Sequence, residues 1–126
     1  MSSWTADELD RIGNAEELQL ASYRPDGTLR RYVVMWVARV GDELYTRSAY
    51  GPDAAWYRHA LSSGRGRIRA GGVEREVRFE AGDDEANVPL DAEYHRKYDR
   101  HGEKIVATVV GPHRYDLTVR LAPDGA

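Results

Sequence analysis

Short glycine-containing turns between strand-like segments constrain the fold of this chain more than any other feature of the sequence. Gly71-Gly72 separates Arg65–Ala70 from Val73–Ala81, and apolar and charged residues alternate along both segments. A two-residue glycine turn predicts an antiparallel hairpin, because glycine reaches the positive φ angles that such turns require. Residues 24–27 and Gly41-Asp42 predict two further hairpins. The chain is therefore expected to consist mainly of antiparallel strands.

Strand-like patterns recur along the sequence and are interrupted by three helix-like segments. The predicted strands are residues 18–23, 29–40, 43–48, 65–70, 73–81 and 115–121. The segment 29–40 is apolar on both faces, which predicts a central strand. Short helices are predicted at 5–13, 53–61 and 89–98. Together these elements predict a mainly β (α+β) domain, either a small barrel or a strongly curled sheet.

The predicted helices carry capping signals. Thr5 and Glu8 form the S/T-x-x-E capping box, in which each side chain accepts a hydrogen bond from the other's backbone N–H. Trp4 and Leu9 flank the box as a hydrophobic staple. In the second helix, Asp53 is expected to be the N-cap.

Composition narrows the classes of protein to which the chain can belong. Its 126 residues are expected to form one domain, residues 1–126. The absence of cysteine from the sequence excludes disulfides, thiolate catalysis and cysteine-bound zinc. A net charge of -3 does not favour nucleic-acid binding. The sequence shows neither a signal peptide nor a bilayer-spanning apolar run, so a cytoplasmic location without membrane attachment is expected.

The arginine-rich segment 65–69 fits three interpretations: a nucleic-acid surface, a phosphate contact or an ordinary solvated strand. Counting back from the two-glycine turn pairs arginine with glutamate twice, as Arg69 with Glu74 and Arg67 with Glu76. These cross-strand pairs neutralise the stripe, which favours a solvated strand face. Arg65 and Arg78 face each other without a carboxylate, and this pair is where an anion would be welcome.

A better candidate for an anion site lies at the end of the third predicted strand. Arg47 and Ser48 precede the Gly51-Pro52 loop and a helix start, so hydrogen-bond donors converge there. With Gly41-Asp42 as the whole turn, Arg47 lies opposite Trp36, and its guanidinium can stack on the indole. Two interpretations stay open: an arginine that binds a ligand anion, or a surface arginine that covers a half-buried tryptophan.

One face of the last helix carries a second candidate set. Its members, at positions i, i+3 and i+4, are Tyr94, Lys97 and Tyr98. The face either packs on the barrel, as aromatic stripes usually do, or faces a ligand. His95, Asp99 and His101 lack a compact ligand spacing, so no metal site is predicted. Neither a nucleophile elbow nor a Rossmann fingerprint is present in the sequence.

Several longer motifs resemble known families. They are WTADELDRI at 4–12, GDELYTRS at 41–48, PDAAWYRHAL at 52–61, GRIRAGG at 66–72, AEYHRKYDRHG at 92–102 and LTVRLAP at 117–123. Between residues 27 and 80 the sequence resembles the split β-barrel of flavin- and deazaflavin-dependent oxidoreductases, especially deazaflavin-dependent nitroreductases. Nearly the whole chain is similar to a related group, domain of unknown function 2255. The resemblance implies a six-stranded split barrel with two or three short helices.

The resemblance also implies a cofactor and a set of site residues. The cofactor is the 8-hydroxy-5-deazaflavin coenzyme (factor 420) or FMN, although the nitroreductases carry a glycine-rich, lysine-containing segment where this chain has the shorter 49–53. The implied cofactor-binding residues are Trp36, Arg47, Ser48, Trp56 and Arg58. The remaining candidates do not come from the resemblance: Tyr98 and His101 are the catalytic candidates on geometry alone, and the substrate-binding candidates are Tyr50, Tyr94 and Lys97.

Three functional hypotheses follow, each with a small-molecule ligand as partner. The leading one is an oxidoreductase in which a deazaflavin or FMN reduces a small organic substrate. The main alternative is a cofactor-free cyclase or isomerase of specialised metabolism, in which the tyrosines and Arg47 touch the substrate directly. The third is a non-catalytic ligand-binding module. By analogy with split barrels of this type, a homodimer is expected.

Overall fold

The computed structural model of the chain describes residues 3–49 and 51–124. Its first helix, α1, spans Ala6–Gly13 and begins at the predicted capping box. The Glu8 backbone N–H donates to Oγ1 of Thr5 over 3.1 Å, and the Thr5 N–H donates to Oε1 of Glu8 over 2.9 Å. Trp4 and Leu9 are both buried in the main core, so the predicted staple docks this helix on the sheet.

Within the described residues the chain forms seven strands and three further helices. In chain order, strands β1 to β7 are Leu18–Ser22, Val33–Met35, Ala38–Val40, Glu43–Arg47, Arg65–Ala70, Val73–Ala81 and Thr118–Pro123. Helices α2 to α4 are Ala55–Ser63, Asn87–Tyr98 and Glu103–Val106, with short 3-10 segments at Asp84–Ala86, Asp99–His101 and Pro112–Leu117. None of the described helices is both long and apolar enough to cross a membrane.

The strands form a single antiparallel sheet in the order β2-β1-β5-β6-β7-β4-β3. The two edge strands, β2 and β3, are consecutive in the sequence, and only Trp36 and Val37 separate them. Two intervening residues span no more than about 10 Å between the strand ends, so the edges of the sheet lie close together. The sheet therefore curls back on itself, and the expected mainly β, barrel-like fold is confirmed.

The prediction of one central strand over residues 29–40 is wrong. The chain forms two three-residue strands there, β2 and β3, at opposite edges of the sheet. Trp36 and Val37 leave the ladder between them, while Val33 and Val34 are 40% and 53% exposed. The apolar side chains of this segment thus line an open face as well as the core. The division raises the strand number from the expected six to seven.

Helix α2 begins later than predicted. Its N-cap is Ala54 rather than Asp53, and no side chain caps the first turn. Leu61, predicted on the apolar face, is 57% exposed, whereas Tyr57 is buried. The helix ends as predicted at Gly64, whose φ of 72° lies in the left-handed region that favours glycine.

The hairpin of β5 and β6 has the predicted register. Opposite charges pair twice across the strands, Arg69 with Glu74 at 2.6 Å and Arg67 with Glu76 at 2.5 Å. Arg65 lies opposite Arg78, as expected, but both guanidinium groups contact the carboxylate of Asp124. This arginine pair therefore has an internal counter-ion, which the sequence did not indicate.

Two clusters of buried side chains pack on the sheet. The first includes Leu18, Leu20, Ile68, Val77 and Leu121, beneath α1 and α2. The second lies between α3 and strands β3 and β4, and includes Ala38, Tyr45, Leu90, Tyr94 and Tyr98. Val37 belongs to the first cluster and Trp36 packs on the second, so the two cores meet at the break between β2 and β3.

Candidate functional site

An open cavity of about 780 Å³ lies beside the break between β2 and β3. Its walls come from β2, the break itself, the loop and first turn of α2, and the segment around α4. We call it the apolar groove, and its main lining residues are Val33, Val34, Met35, Trp36, Trp56 and Ile105. Arg47 and Lys104 are its basic lining residues.

Exposed apolar side chains concentrate at this groove. Val33, Val34 and Ile105 all line it, and they are three of the five large hydrophobic residues exposed in the described part of the chain. Contiguous exposed apolar surface marks a ligand site or an interface more often than scattered residues do. The apolar groove is therefore a candidate binding site.

Trp36 forms a rigid part of the groove wall. Its indole stacks on the phenol of Tyr98, with ring centroids 4.0 Å apart and an angle of 5° between the planes. The His101 ring also packs on Trp36, at 5.6 Å between centroids. The backbone carbonyl of Trp36 accepts a hydrogen bond from Oγ1 of Thr46 over 2.8 Å. Both the ring and the backbone of Trp36 are thus held in place before any ligand binds.

Lys97 and Tyr98 clamp the break from the side of α3. Nζ of Lys97 donates to the carbonyls of Ala15 and Val37, over 2.9 Å and 2.6 Å. The Tyr98 hydroxyl accepts from the Val37 N–H over 3.3 Å and donates to the carbonyl of Glu16 over 2.9 Å. Burial lowers the pKa of Lys97 to about 8 and raises the pKa of Tyr98 to about 12. Neither side chain lines the apolar groove, so the roles expected for them at a ligand are not supported.

Arg47 is enclosed by the protein, and all five of its N–H donors are engaged. Nε donates to Oγ1 of Thr118 over 2.8 Å. One terminal nitrogen donates to the Asp91 carboxylate and to the Val109 carbonyl, the latter over 2.9 Å. The other donates to the carbonyl and Oδ1 of Asn87, both over 3.2 Å. No donor remains for a ligand anion, which argues against the cofactor-tail role expected for this arginine.

The surroundings of Arg47 also exclude the expected stacking on Trp36. The aromatic rings next to its guanidinium carbon are those of Tyr115 and Tyr94, at 5.1 Å and 5.8 Å from the ring centroids. The Tyr115 hydroxyl donates to the Asp91 carboxylate over 2.8 Å, which raises the pKa of Tyr115. Tyr94 is fully buried, and burial raises its pKa. Arg47 therefore fastens β4 to α3 and to the segment before β7.

Three further predicted site residues, Ser48, His101 and Tyr50, lie apart from the apolar groove or outside the described residues. Ser48 is buried, and its hydroxyl donates to the Gly51 carbonyl over 2.6 Å. His101 is exposed and its Nε2 contacts the Glu16 carboxylate, an interaction that lowers the pKa of Glu16. Tyr50 lies outside the described residues. Of the predicted residues that the structure describes, Trp36, Trp56 and Arg47 line the groove, and of these three only the tryptophans are partly exposed.

His95, near the end of α3, and His101, just after it, do not form a metal centre in the described structure. Nδ1 of His95 lies 2.8 Å from the Asp99 carboxylate, as their i, i+4 spacing on one helix face permits. Within residues 3–49 and 51–124, no three His, Asp or Glu side chains are grouped so that they can hold a metal ion.

A second depression begins where the apolar groove ends. Its inner part, about 260 Å³, shares Val33, Ala55 and Trp56 with the groove. Its outer part, about 630 Å³, continues along α2 toward Ser63. We call the two parts together the arginine pocket, because its basic lining residues are Arg24, Arg30, Arg31, Arg65 and a single histidine, His59.

The arginine pocket lacks negative charge. Among the residues that the structure describes, no Asp or Glu lines either part. Arg24, Arg30 and Arg31 form no ion pair with a described carboxylate, and Nε of Arg30 is buried without a hydrogen-bond partner. Burial and the positive charges of neighbouring arginines lower the pKa of His59. One of these neighbours is Arg58, which is exposed and belongs to the same basic surface.

Sequence reasoning missed the arginine pocket. The available signal was an imbalance of charge, because Asp26 is the only carboxylate in residues 18–41, which contain four arginines. That carboxylate is engaged within its own turn, where it accepts from the N–H and Oγ1 of Thr28 over 3.0 Å and 2.7 Å. His59 and Arg65 come from other elements, and only the fold brings them to this hairpin.

Over residues 8–121 the sequence matches the model of a family described as uncharacterized proteins conserved in bacteria, domain of unknown function 2255. The chain belongs to this family. No curated protein matches the chain. The family's description assigns no activity, so the chemistry of this member has to be inferred from its own groove and pocket.

Solved structures with the same fold include an F420 reductase and an FAD-binding protein. A conserved hypothetical protein, Rv2991 from Mycobacterium tuberculosis, is 16% identical with a TM-score of 0.68, over 99% of this chain and 83% of that one. An F420 reductase is 18% identical with a TM-score of 0.60, over 93% of both chains. An FAD-binding protein from Mesorhizobium loti is 16% identical with a TM-score of 0.55, over 98% and 93%. At these identities the similarity shows the fold, which is the split β-barrel that the sequence motifs implied.

Proposed function

We propose that the chain is an oxidoreductase that binds FMN or the 8-hydroxy-5-deazaflavin coenzyme and reduces a small organic substrate. The observation that carries the proposal is the continuity of the apolar groove with the arginine pocket, which share Val33, Ala55 and Trp56. A ligand with a planar aromatic ring and an anionic tail matches both parts. Flavins and deazaflavins have this chemistry.

The ring would lie in the apolar groove between elements that are already ordered. Trp36 is fixed by Tyr98 and Trp56 by its place in the first turn of α2, where it packs on Tyr57 with ring centroids 5.8 Å apart. An aromatic contact contributes about 0.5–1.5 kcal/mol beyond the area that it buries. Because neither tryptophan needs to be ordered by the ligand, little of that free energy is lost on binding.

The anionic tail would lie in the inner arginine pocket. Arg30 and Arg31 line this part, and the buried Nε of Arg30 has no hydrogen-bond partner among the described residues. A guanidinium group binds phosphate through paired, charge-assisted hydrogen bonds. Arginine therefore matches the geometry of a phosphate better than lysine does. Arg58 is proposed to add to the local positive potential, consistent with the tail-binding role that the resemblance implied for it.

The groove itself offers little acid–base chemistry. Thr108 lines it, but its hydroxyl donates to the Ile105 carbonyl over 2.6 Å. Arg47 is fully engaged, and neither Tyr94 nor Tyr98 lines the groove. Among the described lining residues, Lys104 is the one other side chain that can exchange a proton. This favours a cofactor-dependent reaction over the cofactor-free cyclase or isomerase. When bound, the cofactor supplies the hydride chemistry, while the protein's residues bind and orient it and exclude water from one face.

The fold supports the same proposal. The F420 reductase and the FAD-binding protein share it with this chain, although at identities that carry no activity over. We further propose a homodimer, in which part of the exposed apolar surface at Val33, Val34 and Ile105 is covered by a second copy. Light scattering at micromolar concentration distinguishes a dimer from a monomer.

Titration of the purified protein with FMN and with the deazaflavin coenzyme, followed by quenching of cofactor and tryptophan fluorescence, tests the proposal. Trp56→Ala is expected to weaken binding about three- to tenfold. Leu61→Ala, on the exposed face of the same helix, is the matched control and should have no effect. If neither cofactor binds with at least micromolar affinity, or if both variants behave alike, the proposal fails.

A further inference from the structure

The arginine pocket is larger than one anionic group requires. Its inner part is lined by Arg31 and Ser22 and adjoins the groove, whereas its outer part is lined by Ser62, Ser63 and Arg65. Arg24, Arg30 and His59 line both parts and join them. The outer part, about 630 Å³, has more than twice the volume of the inner one, about 260 Å³.

Helix α2 sets the distance between the apolar groove and the outer pocket. Trp56 lies in the groove, His59 follows one turn later, and Ser63 is at the end of the helix. At about 1.5 Å of rise per residue, the outer pocket begins about 5 Å from the groove and extends to about 10 Å. Only a ligand tail that continues past its first anionic group would reach Arg65.

Arg65 has donors to spare. Within the described residues only its Nε forms a hydrogen bond with a carboxylate, that of Asp124 at 3.2 Å, and Asp124 is shared with Arg78. The side chain is 63% exposed, so its terminal nitrogens are accessible to a ligand. Arg24 is similar, because one terminal nitrogen donates to Oγ1 of Thr28 and to the carbonyl of Leu29 and the rest of the group is exposed.

Two features at the outer pocket oppose an anion, and the first is the carboxylate of Asp124, which is paired with Arg65. The second is the C-terminal end of α2, which lies there and carries a partial negative charge of about half a unit. The hydroxyl of Ser63 is also engaged, since it donates to the Arg65 carbonyl over 2.9 Å. Three guanidinium groups, those of Arg24, Arg30 and Arg65, line the outer pocket, and only that of Arg65 is paired with a described carboxylate. The formal charge of these groups and of Asp124 together is therefore positive, and it exceeds the partial charge of the helix end.

We propose that the outer arginine pocket is a second anion subsite, and that the ligand of this chain therefore carries at least two separate anionic groups. This inference rests on the proposed function for the position of the ring. It names the ligand class: a flavin dinucleotide with a diphosphate, or a deazaflavin whose phosphate is followed by carboxylates. FMN, with a single phosphate, would fill only the inner part.

Arg65→Gln tests the subsite, and Arg78→Gln is its matched control. Both arginines contact Asp124 from neighbouring strands of one hairpin, but only Arg65 lines the pocket. Dissociation constants for FMN, FAD and the deazaflavin coenzyme are measured by fluorescence for the parent and both variants. Arg65→Gln is expected to weaken binding of FAD or of the deazaflavin coenzyme about tenfold and of FMN less than twofold. The long-tailed ligand whose affinity falls in Arg65→Gln identifies the chemistry of the tail. Arg78→Gln should leave the affinities for FAD and for the deazaflavin coenzyme unchanged.

Equal losses for FMN and for the long-tailed ligands, or no loss for any of them, would overturn the second subsite while leaving the proposed function standing. If no flavin-type ligand binds, the proposed function fails, and calorimetry with inorganic pyrophosphate then tests the subsite alone. The subsite predicts pyrophosphate binding that Arg65→Gln weakens and Arg78→Gln does not. Absence of pyrophosphate binding, or equal effects of both variants, would overturn the subsite. The charge of these arginines would then be neutralised by mobile counter-ions alone.

Discussion

The indole ring of Trp36 lies flat on the phenol ring of Tyr98, with centroids 4.0 Å apart and planes 5° from parallel. Tyr98 belongs to α3, and Trp36 to the two-residue break between the edge strands. The Tyr98 hydroxyl also accepts a hydrogen bond from the backbone of Val37. The wall of the apolar groove is thus positioned by a residue that does not itself line the groove.

Tyr98→Phe removes the hydrogen bonds of the Tyr98 hydroxyl but keeps a ring that can stack on Trp36. The phenyl ring can still pack on Trp36, but the buried N–H of Val37 loses the acceptor that the structure shows. Leaving a buried donor without a partner costs about 1–3 kcal/mol, so the free energy of unfolding should fall by about that amount. Urea unfolding measures it. A variant as stable as the parent would show that the hydroxyl does not hold the break.

Lys97 should make stability depend on pH. Burial lowers its pKa to about 8 in the folded chain, whereas the pKa of a lysine in the unfolded chain is about 10.4. Between these values the unfolded state binds more protons, so the free energy of unfolding rises as the pH increases from about 8 to about 10. The neutral amine keeps two N–H donors, enough for the carbonyls of Ala15 and Val37. Denaturant unfolding at about pH 7.5 and about pH 9.5 measures the change.

Lys97→Met isolates this contribution. Methionine fills much of the same space without a titrating group, so the rise in stability between those two pH values should disappear. The charged groups that act on Lys97, those of Glu93, Arg96, Glu16 and Arg100, remain in the variant. If parent and variant show the same pH dependence, another group is responsible.

Arg47→Lys should destabilise the fold. Lysine keeps the charge but cannot reach Thr118, Asp91 and Asn87 together, and buried partners are left unsatisfied. A loss of about 2–4 kcal/mol in the free energy of unfolding is expected. Arg96→Lys is the control, because Arg96 pairs with Glu93 at an exposed position and should change stability by less than about 1 kcal/mol. Similar small effects for both would contradict the structural role of Arg47.

Local features of the sequence determined the parts of the fold that were predicted correctly. The pairing of Arg67 with Glu76 follows from a two-residue turn, which fixes the register of the hairpin without information from elsewhere. The capping box of Thr5 and Glu8 depends on only four residues. Such features need no knowledge of the tertiary structure.

Long-range packing decided what the sequence did not predict. Residues 29–40 are apolar enough for a central strand, but β2 pairs with β1 and β3 with β4 on opposite edges. The sequence correctly predicted that Tyr94, Lys97 and Tyr98 share one face of a helix. It did not predict the surface that this face packs on, because that surface includes Val37, which lies about sixty residues away in the chain. The arginine pocket likewise combines the first hairpin, α2 and β5.

The affinity difference between FMN and riboflavin measures most directly whether the apolar groove and the arginine pocket act as one binding site. The two ligands share a ring and differ by one phosphate, which Arg30 and Arg31 are placed to bind. At low ionic strength, FMN should bind at least about tenfold more tightly than riboflavin. Arg30→Gln should remove most of this difference, and Arg11→Gln, at an exposed position on α1, should leave it unchanged. Equal affinities for FMN and riboflavin in the parent would contradict the assignment, and so would the absence of binding of FMN, riboflavin and the deazaflavin coenzyme alike.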